Sequence, residues 1–145
     1  MVSDHACCRH ETKAAKKTFG NIWLAKSGFG GTEYLLPALV SEGTRRGLSL
    51  NRIAALTSLN PARRFGLNSK GDIAPGLDAD LALVDPRETW TVRARDSAST
   101  QGYTPFEGLE LSARVKATFL RGTLVCENGT VVGAPRGRYL HRPTE

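Results

Sequence analysis

The spacing of apolar positions divides the chain into a helix-patterned first half and a strand-patterned second half. Leu35, Leu36, Leu39 and Val40 recur at three- and four-residue intervals, so residues 34–46 read as a helix with one apolar face. Pro37 would remove a bond inside a helix and is tolerated in the first turn, which places the regular start near Leu36. Ser49 reads as the N-cap of a second helix through Leu50, Ile53, Ala54, Leu56 and Thr57. A third, short helix takes Asn60 as cap, Pro61 at its first position and Gly66 as its stop, with Phe65 and Leu67 expected to be buried. Ahead of these helices the first 28 residues are polar and irregular. Residues 1–4 read as the tail of a strand with Asp4 at its end, residues 13–17 as a short helical turn, and Phe19 to Leu24 as an apolar but short stretch.

After Leu67 the texture changes. Asp72 to Gly76 is a turn signal, with Pro75 ahead of Gly76 as type II turns prefer. Asp80 to Val84 and Trp90 to Val92 read as strands. Arg114 to Leu120 and Thr123 to Cys126 form a hairpin about Arg121-Gly122, and Asn128-Gly129 turns the chain into Val131-Val132. The tail from Pro135 is loop-like. Two units follow, residues 1–67 and 68–145. The β half offers about five short strands whose edges stay open unless other segments cover them.

Composition leaves this picture in place. Of the 145 residues 40% are hydrophobic and 23% charged, near globular averages, so disorder is not expected. A net charge of +6 and a pI near 9.6 raise nucleic-acid binding. The basic residues are scattered, however, and their tight clusters (Lys13-Lys16-Lys17, Arg45-Arg46, Arg63-Arg64) carry no interleaved aromatics to stack on bases, which argues against it. Three cysteines, two of them adjacent (Cys7 and Cys8), make no disulfide framework, and the chain reads as a reduced, cytoplasmic protein. No signal-peptide pattern and no membrane-length apolar run occurs.

Few residues bear candidate chemistry on their own terms. Ser27-Gly28-Phe29-Gly30-Gly31-Thr32 lets the backbone approach a ligand closely, but it lacks the ending of a phosphate loop. His5, Cys7, Cys8 and His10 offer a local zinc set whose adjacent cysteines suit one tetrahedral ion poorly. Glu42 reads as a helix-end or surface carboxylate, Asp78 and Asp80 as turn-forming and backbone-capping residues. Trp90 and Phe106 read as core, and Arg63 and Arg64 as a solvated helix face.

Taken in order, these segments resemble the metal-dependent cyclic amidohydrolases, the family of dihydroorotases, allantoinases, hydantoinases and dihydropyrimidinases. Residues 2–5 look like the end of that family's eighth barrel strand, and residues 27–32 like its substrate loop. Ser41-Glu42-Gly43, Gly47 to Ile53 and Asn60 to Leu67 resemble the segments that follow. Lys70 to Leu81, the most distinctive run, looks like the return from the barrel to a small β-sandwich, and Pro105 to Gly108 with Val115 to Leu124 like its closing strands.

The resemblance implies an α/β fold: the C-terminal piece of a TIM (β/α)8 barrel, with its last strand and helices in residues 1–67, then β-sandwich strands in residues 68–145, incomplete as an isolated chain. It implies hydrolysis of cyclic amides by metal-activated water. Asp4 takes the metal-ligand and catalytic-base position at a strand tip. His5, Phe29 and Gly30 take substrate-binding positions, the backbone about Phe29 and Gly30 meeting the ring's imide edge and the Phe29 side chain forming an apolar wall. The cofactor is a divalent metal, zinc by preference. The His-x-His pair, two further histidines and the bridging lysine of the family have no counterparts here, so the isolated chain is expected to be inactive. The expected partners are a small cyclic amide, a missing N-terminal barrel segment and further copies in a homo-oligomer, with no nucleic acid and no membrane. Residues 6–10 depart from familiar versions of the family, which leaves the substrate open. The competing reading is a non-catalytic, amidohydrolase-like interaction module.

Overall fold

The computed structural model describes residues 1, 3–13 and 19–142. Among the described residues the helical half holds four short α-helices: α1 (His10–Lys13), α2 (Leu35–Ala38), α3 (Leu50–Ala54) and α4 (Asn60–Arg64). Wider π-helical turns extend two of them, Leu39–Gly43 after α2 and Ala55–Leu59 between α3 and α4. Residues 32–43 therefore run as one rod, opened by a 3-10 turn at Thr32–Tyr34, and residues 50–64 as another.

The second rod starts where the sequence places it: the Ser49 side chain accepts the Arg52 N–H at 3.2 Å. The expected break at Asn60 does not occur. Asn60 is helical, at φ −66 and ψ −43, and caps nothing. The wide turn just before Pro61 makes room for a ring that would otherwise crowd the carbonyl four residues back. The rod stops at Gly66 (φ +66), where the Leu67 N–H returns to the Ala62 carbonyl. Phe65, expected inside, is 47% exposed. Within the first rod the regular helix, α2, begins at Leu35, one residue before the expected start, because the 3-10 turn lets Pro37 sit in the first regular turn. Met1, Ser3 and Asp4 lie in no strand, since a strand is defined by hydrogen-bonded neighbours and among the described residues none pairs with this segment. Lys13 ends α1, and most of the helical turn expected over residues 13–17 lies outside the described residues.

The β half follows its sequence pattern closely. Strands β1 (Leu81–Asp85), β4 (Arg114–Leu120), β5 (Thr123–Glu127) and β6 (Thr130–Val131) form an antiparallel sheet in the order β1-β4-β5-β6. Both tight turns have two consecutive left-handed residues, Arg121-Gly122 at φ 47 and 76 and Asn128-Gly129 at φ 47 and 82, as type I′ hairpins require. β2 (Trp90–Thr91) pairs with β3 (Glu110–Leu111), a strand too short to stand out in the sequence.

Two small cores join the halves. Tyr34 packs with Val92 and Leu111, flanked by Ala38, Trp90 and Phe106. Val40 and Ile53 pack with Ala113, flanked by Leu36, Leu39 and Val84. Trp90 and Phe106 thus take their expected inner places, against helix residues as well as strands. Polar groups at this seam are paired: the Trp90 indole N–H donates to the Ala113 carbonyl at 2.8 Å, and the Ser112 N–H donates to Ser41 Oγ at 3.0 Å.

Candidate active site

The glycine loop of residues 28–31 is held between the N-terminal segment and a loop of the β half. Gly28 has φ +82, and a Cβ there would meet the Ala6 Cβ at 2.3 Å, so only glycine fits. This approach lets the Ala6 N–H donate to the Phe29 carbonyl at 3.1 Å. His5 Nδ1 accepts the N–H groups of Gly31 (3.2 Å) and Thr32 (3.4 Å), which puts a ring proton, when His5 is neutral, on Nε2. Ser3 Oγ lies 3.1 Å from Thr32 Oγ1. On the other side, Gln101 Oε1 accepts the buried Gly30 N–H at 2.8 Å.

Asp4 lies between two residues tied to this loop, Ser3 and His5. It is exposed and adopts φ +48, a left-handed conformation that Asp tolerates better than most residues. The structure thus brings Asp4, His5, Phe29 and Gly30 into one neighbourhood. The Gly30 N–H and one side of the Phe29 carbonyl are already paired within the chain. The Phe29 ring is half-exposed and lines a cavity of about 390 Å³ with Ser3, Gly31, Tyr34, Leu39 and Phe106, where Glu42 and Arg46 bring charge. Glu42 is tied to Arg45 and Arg46 on its own rod; the Arg45 hydrogen bond, reinforced by both guanidinium charges, holds its carboxyl below the ordinary range.

Around the loop, Cys7 Sγ lies 3.3 Å from Ser99 Oγ, and Cys8 Sγ 3.7 Å from the Tyr103 hydroxyl. Burial and then the Cys8 contact push the Tyr103 hydroxyl up, against the pull of Lys13. The His10 ring meets Tyr103 edge-on at 5.8 Å. Cys8 and His10 thus share Tyr103, while Cys7 turns to Ser99 and His5 to the glycine loop. Among the described residues no three His, Cys, Asp or Glu side chains gather into a metal-holding group. Asp4 offers a single carboxylate, whereas a catalytic zinc takes three protein ligands. The described residues do not by themselves fit a metal centre.

Asp78 and Asp80 are more than turn residues. Lys70 Nζ lies 2.9 Å from Asp78 Oδ2 and hydrogen-bonds Asp80 as well. Asp80 also accepts the Arg121 N–H at 2.7 Å, docking the β4–β5 turn. The residue that sequence reasoning missed at the glycine loop is Gln101. It is 71 residues away in sequence and sits in a polar loop, so no local pattern marks it.

Known proteins frame this geometry. The chain is 42% identical, over its whole length, to an allantoinase of Rubrobacter xylanophilus, of which it covers 31%. It is 41% identical over 90% of its length to a dihydroorotase of Halobacterium salinarum, of which it covers 30%. Among solved structures, a dihydropyrimidinase of Brevibacillus agri superposes with a TM-score of 0.84 at 32% identity, over 90% of this chain and 28% of that one. The chain thus spans about a third of the length of the relatives it matches. No helix among the described residues is long and apolar enough to cross a membrane. The Amidohydrolase family matches residues 1–125, most of the chain, and the chain belongs to that family.

Proposed function

We propose that this chain forms the C-terminal part of a hydrolase that opens cyclic amides at a C–N bond with metal-activated water. The carrying observation is the match of the entire chain to under a third of an allantoinase, with a dihydroorotase close behind. Residues 1–67 end the barrel and residues 68–145 supply sandwich strands. Asp4 takes the metal-ligand and proton-accepting position; His5 and the loop at Phe29 and Gly30 face the substrate. The first binds that loop through Nδ1, and the Phe29 ring walls a cavity of about 390 Å³, small enough for a single heterocycle. The metal's other ligands come from outside this chain, because Asp4 is one donor and its neighbours are engaged elsewhere. A divalent metal, zinc by preference, supplies the activated water in the complete enzyme. The substrate is allantoin or dihydroorotate in the first place, and a hydantoin or dihydropyrimidine in the second.

The test is a chimera in which this chain replaces the matching 31% of the Rubrobacter allantoinase. The expected result is ring opening of allantoin or dihydroorotate, lost at least a hundredfold in Asp4→Asn, with no turnover by the isolated chain. A folded, metal-loaded chimera that opens none of the four ring types overturns the reading.

A further inference from the structure

The loop of residues 97–103 belongs to the β half, yet its contacts converge on the segments that carry the candidate site. Ser97 Oγ and the Ala98 N–H (3.3 Å) both donate to the Glu33 carboxylate at the start of the first helical rod. Ser99 meets Cys7, the Gln101 carbonyl accepts the His10 N–H at 3.4 Å, and Tyr103 meets Cys8. Gln101 is only 4% exposed and is the residue that reaches the glycine loop itself. Its Oε1 accepts the buried Gly30 N–H at 2.8 Å, and a Cβ on Gly30 would lie 2.8 Å from both terminal atoms of the Gln101 side chain. The fit is therefore reciprocal: residue 30 has no side chain, and residue 101 fills that space with an acceptor.

We infer that Gln101 is a positioning residue for the substrate loop, holding Gly30 and hence Phe29 at the height the bound ring requires. The inference rests on the cyclic-amide reading and adds to it a second-half residue that sets substrate affinity without touching the reacting atoms. A glycine-rich loop has many alternative conformations, and a buried N–H without an acceptor favours those that reach water. Removing the acceptor therefore releases the loop and weakens substrate binding, while the proton-handling group at Asp4 stays in place.

Two measurements test this. In the intact chain, amide hydrogen exchange at Gly30 is slow in the wild type and in Gln101→Glu, which keeps an acceptor, and at least about tenfold faster in Gln101→Met, which keeps the bulk alone. In the chimera, Gln101→Met raises KM about tenfold with kcat within about twofold, and Gln101→Glu returns KM toward the wild type. Equal Gly30 exchange in the wild type and Gln101→Met overturns the inference whatever the chimera does. So does an active chimera whose KM ignores Gln101→Met, or one in which Gln101→Glu is as impaired as Gln101→Met. A chimera inactive with wild-type Gln101 sinks the cyclic-amide reading instead, and the exchange measurement still decides the role of Gln101.

Discussion

Lys70 pins the turn that opens the β half. Its ammonium is largely covered, its side chain 13% exposed, between Asp78 and Asp80. Desolvation pulls its pKa down, but the hydrogen bonds and charges of Asp80 and Asp78 outweigh that pull and leave it raised. Asp78 is held below its ordinary value by Lys70 and then by Ser69; Asp80 is lowered because Lys70 and the Arg121 N–H overcome its own desolvation. Depressed carboxylates stabilise above their unfolded pKa of about 4 and lose that contribution as pH falls through the folded values. The raised lysine stabilises below about 10.5 and loses its contribution as pH rises through its folded value. Lys70→Met is therefore less stable than the wild type between about pH 5 and 9, with the difference closing as pH falls through the lowered folded values of Asp78 and Asp80. Urea unfolding across that range reads it; a difference that persists unchanged in acid would rule out the ion-pair account. The turn character of Asp78 and Asp80 was readable in the sequence. Their shared cation was not, because Lys70 lies ten residues before Asp80 across a turn with no fixed period.

Among the elements, those with local punctuation were legible and those that depend on distant packing were not. Ser49 announces a helix start because its hydroxyl meets a donor three residues on, a purely local bond. Asn128-Gly129 and Arg121-Gly122 announce hairpins because the turn needs two positive φ values in succession. Asn60-Pro61 carries the same kind of signal and is overridden. With Ile53 and Ala62 both buried, the chain does better to keep one rod and widen a turn than to break it. β3 was invisible because two residues show no alternation; it exists because Leu111 packs on Tyr34 and Val92. The cap yields a direct prediction. Ser49→Ala leaves the Arg52 N–H without its side-chain acceptor and costs about 1 kcal/mol, read as a lower urea midpoint at unchanged slope. A change under a few tenths of that value would mean that water replaces the hydroxyl fully.

At the scale of the whole molecule the surface is too large for the mass. The chain exposes 10498 Å², whereas a self-contained folded protein of 15.7 kDa exposes about 7,300 Å². Large apolar side chains share in it: Phe19, Ile22 and Trp23 are each more than three-quarters exposed, within five consecutive positions, and Ile73 and Leu83 are open as well. The two cores that hold the halves together are small, built on Tyr34, Val92 and Leu111 and on Val40, Ile53 and Ala113. The Asp4 segment was legible as a motif, but the strand it was expected to end is not formed, since no strand among the described residues pairs with it. On the cyclic-amide reading, the remaining barrel covers these faces. The isolated chain is then expected to associate and to bind a dye for exposed apolar surface, and the chimera to do neither. Sedimentation and dye fluorescence of the two side by side provide the check. A monomer that melts sharply and binds no dye would show that residues 19–24 need no cover, and with it that the excess surface belongs to the native state of this chain.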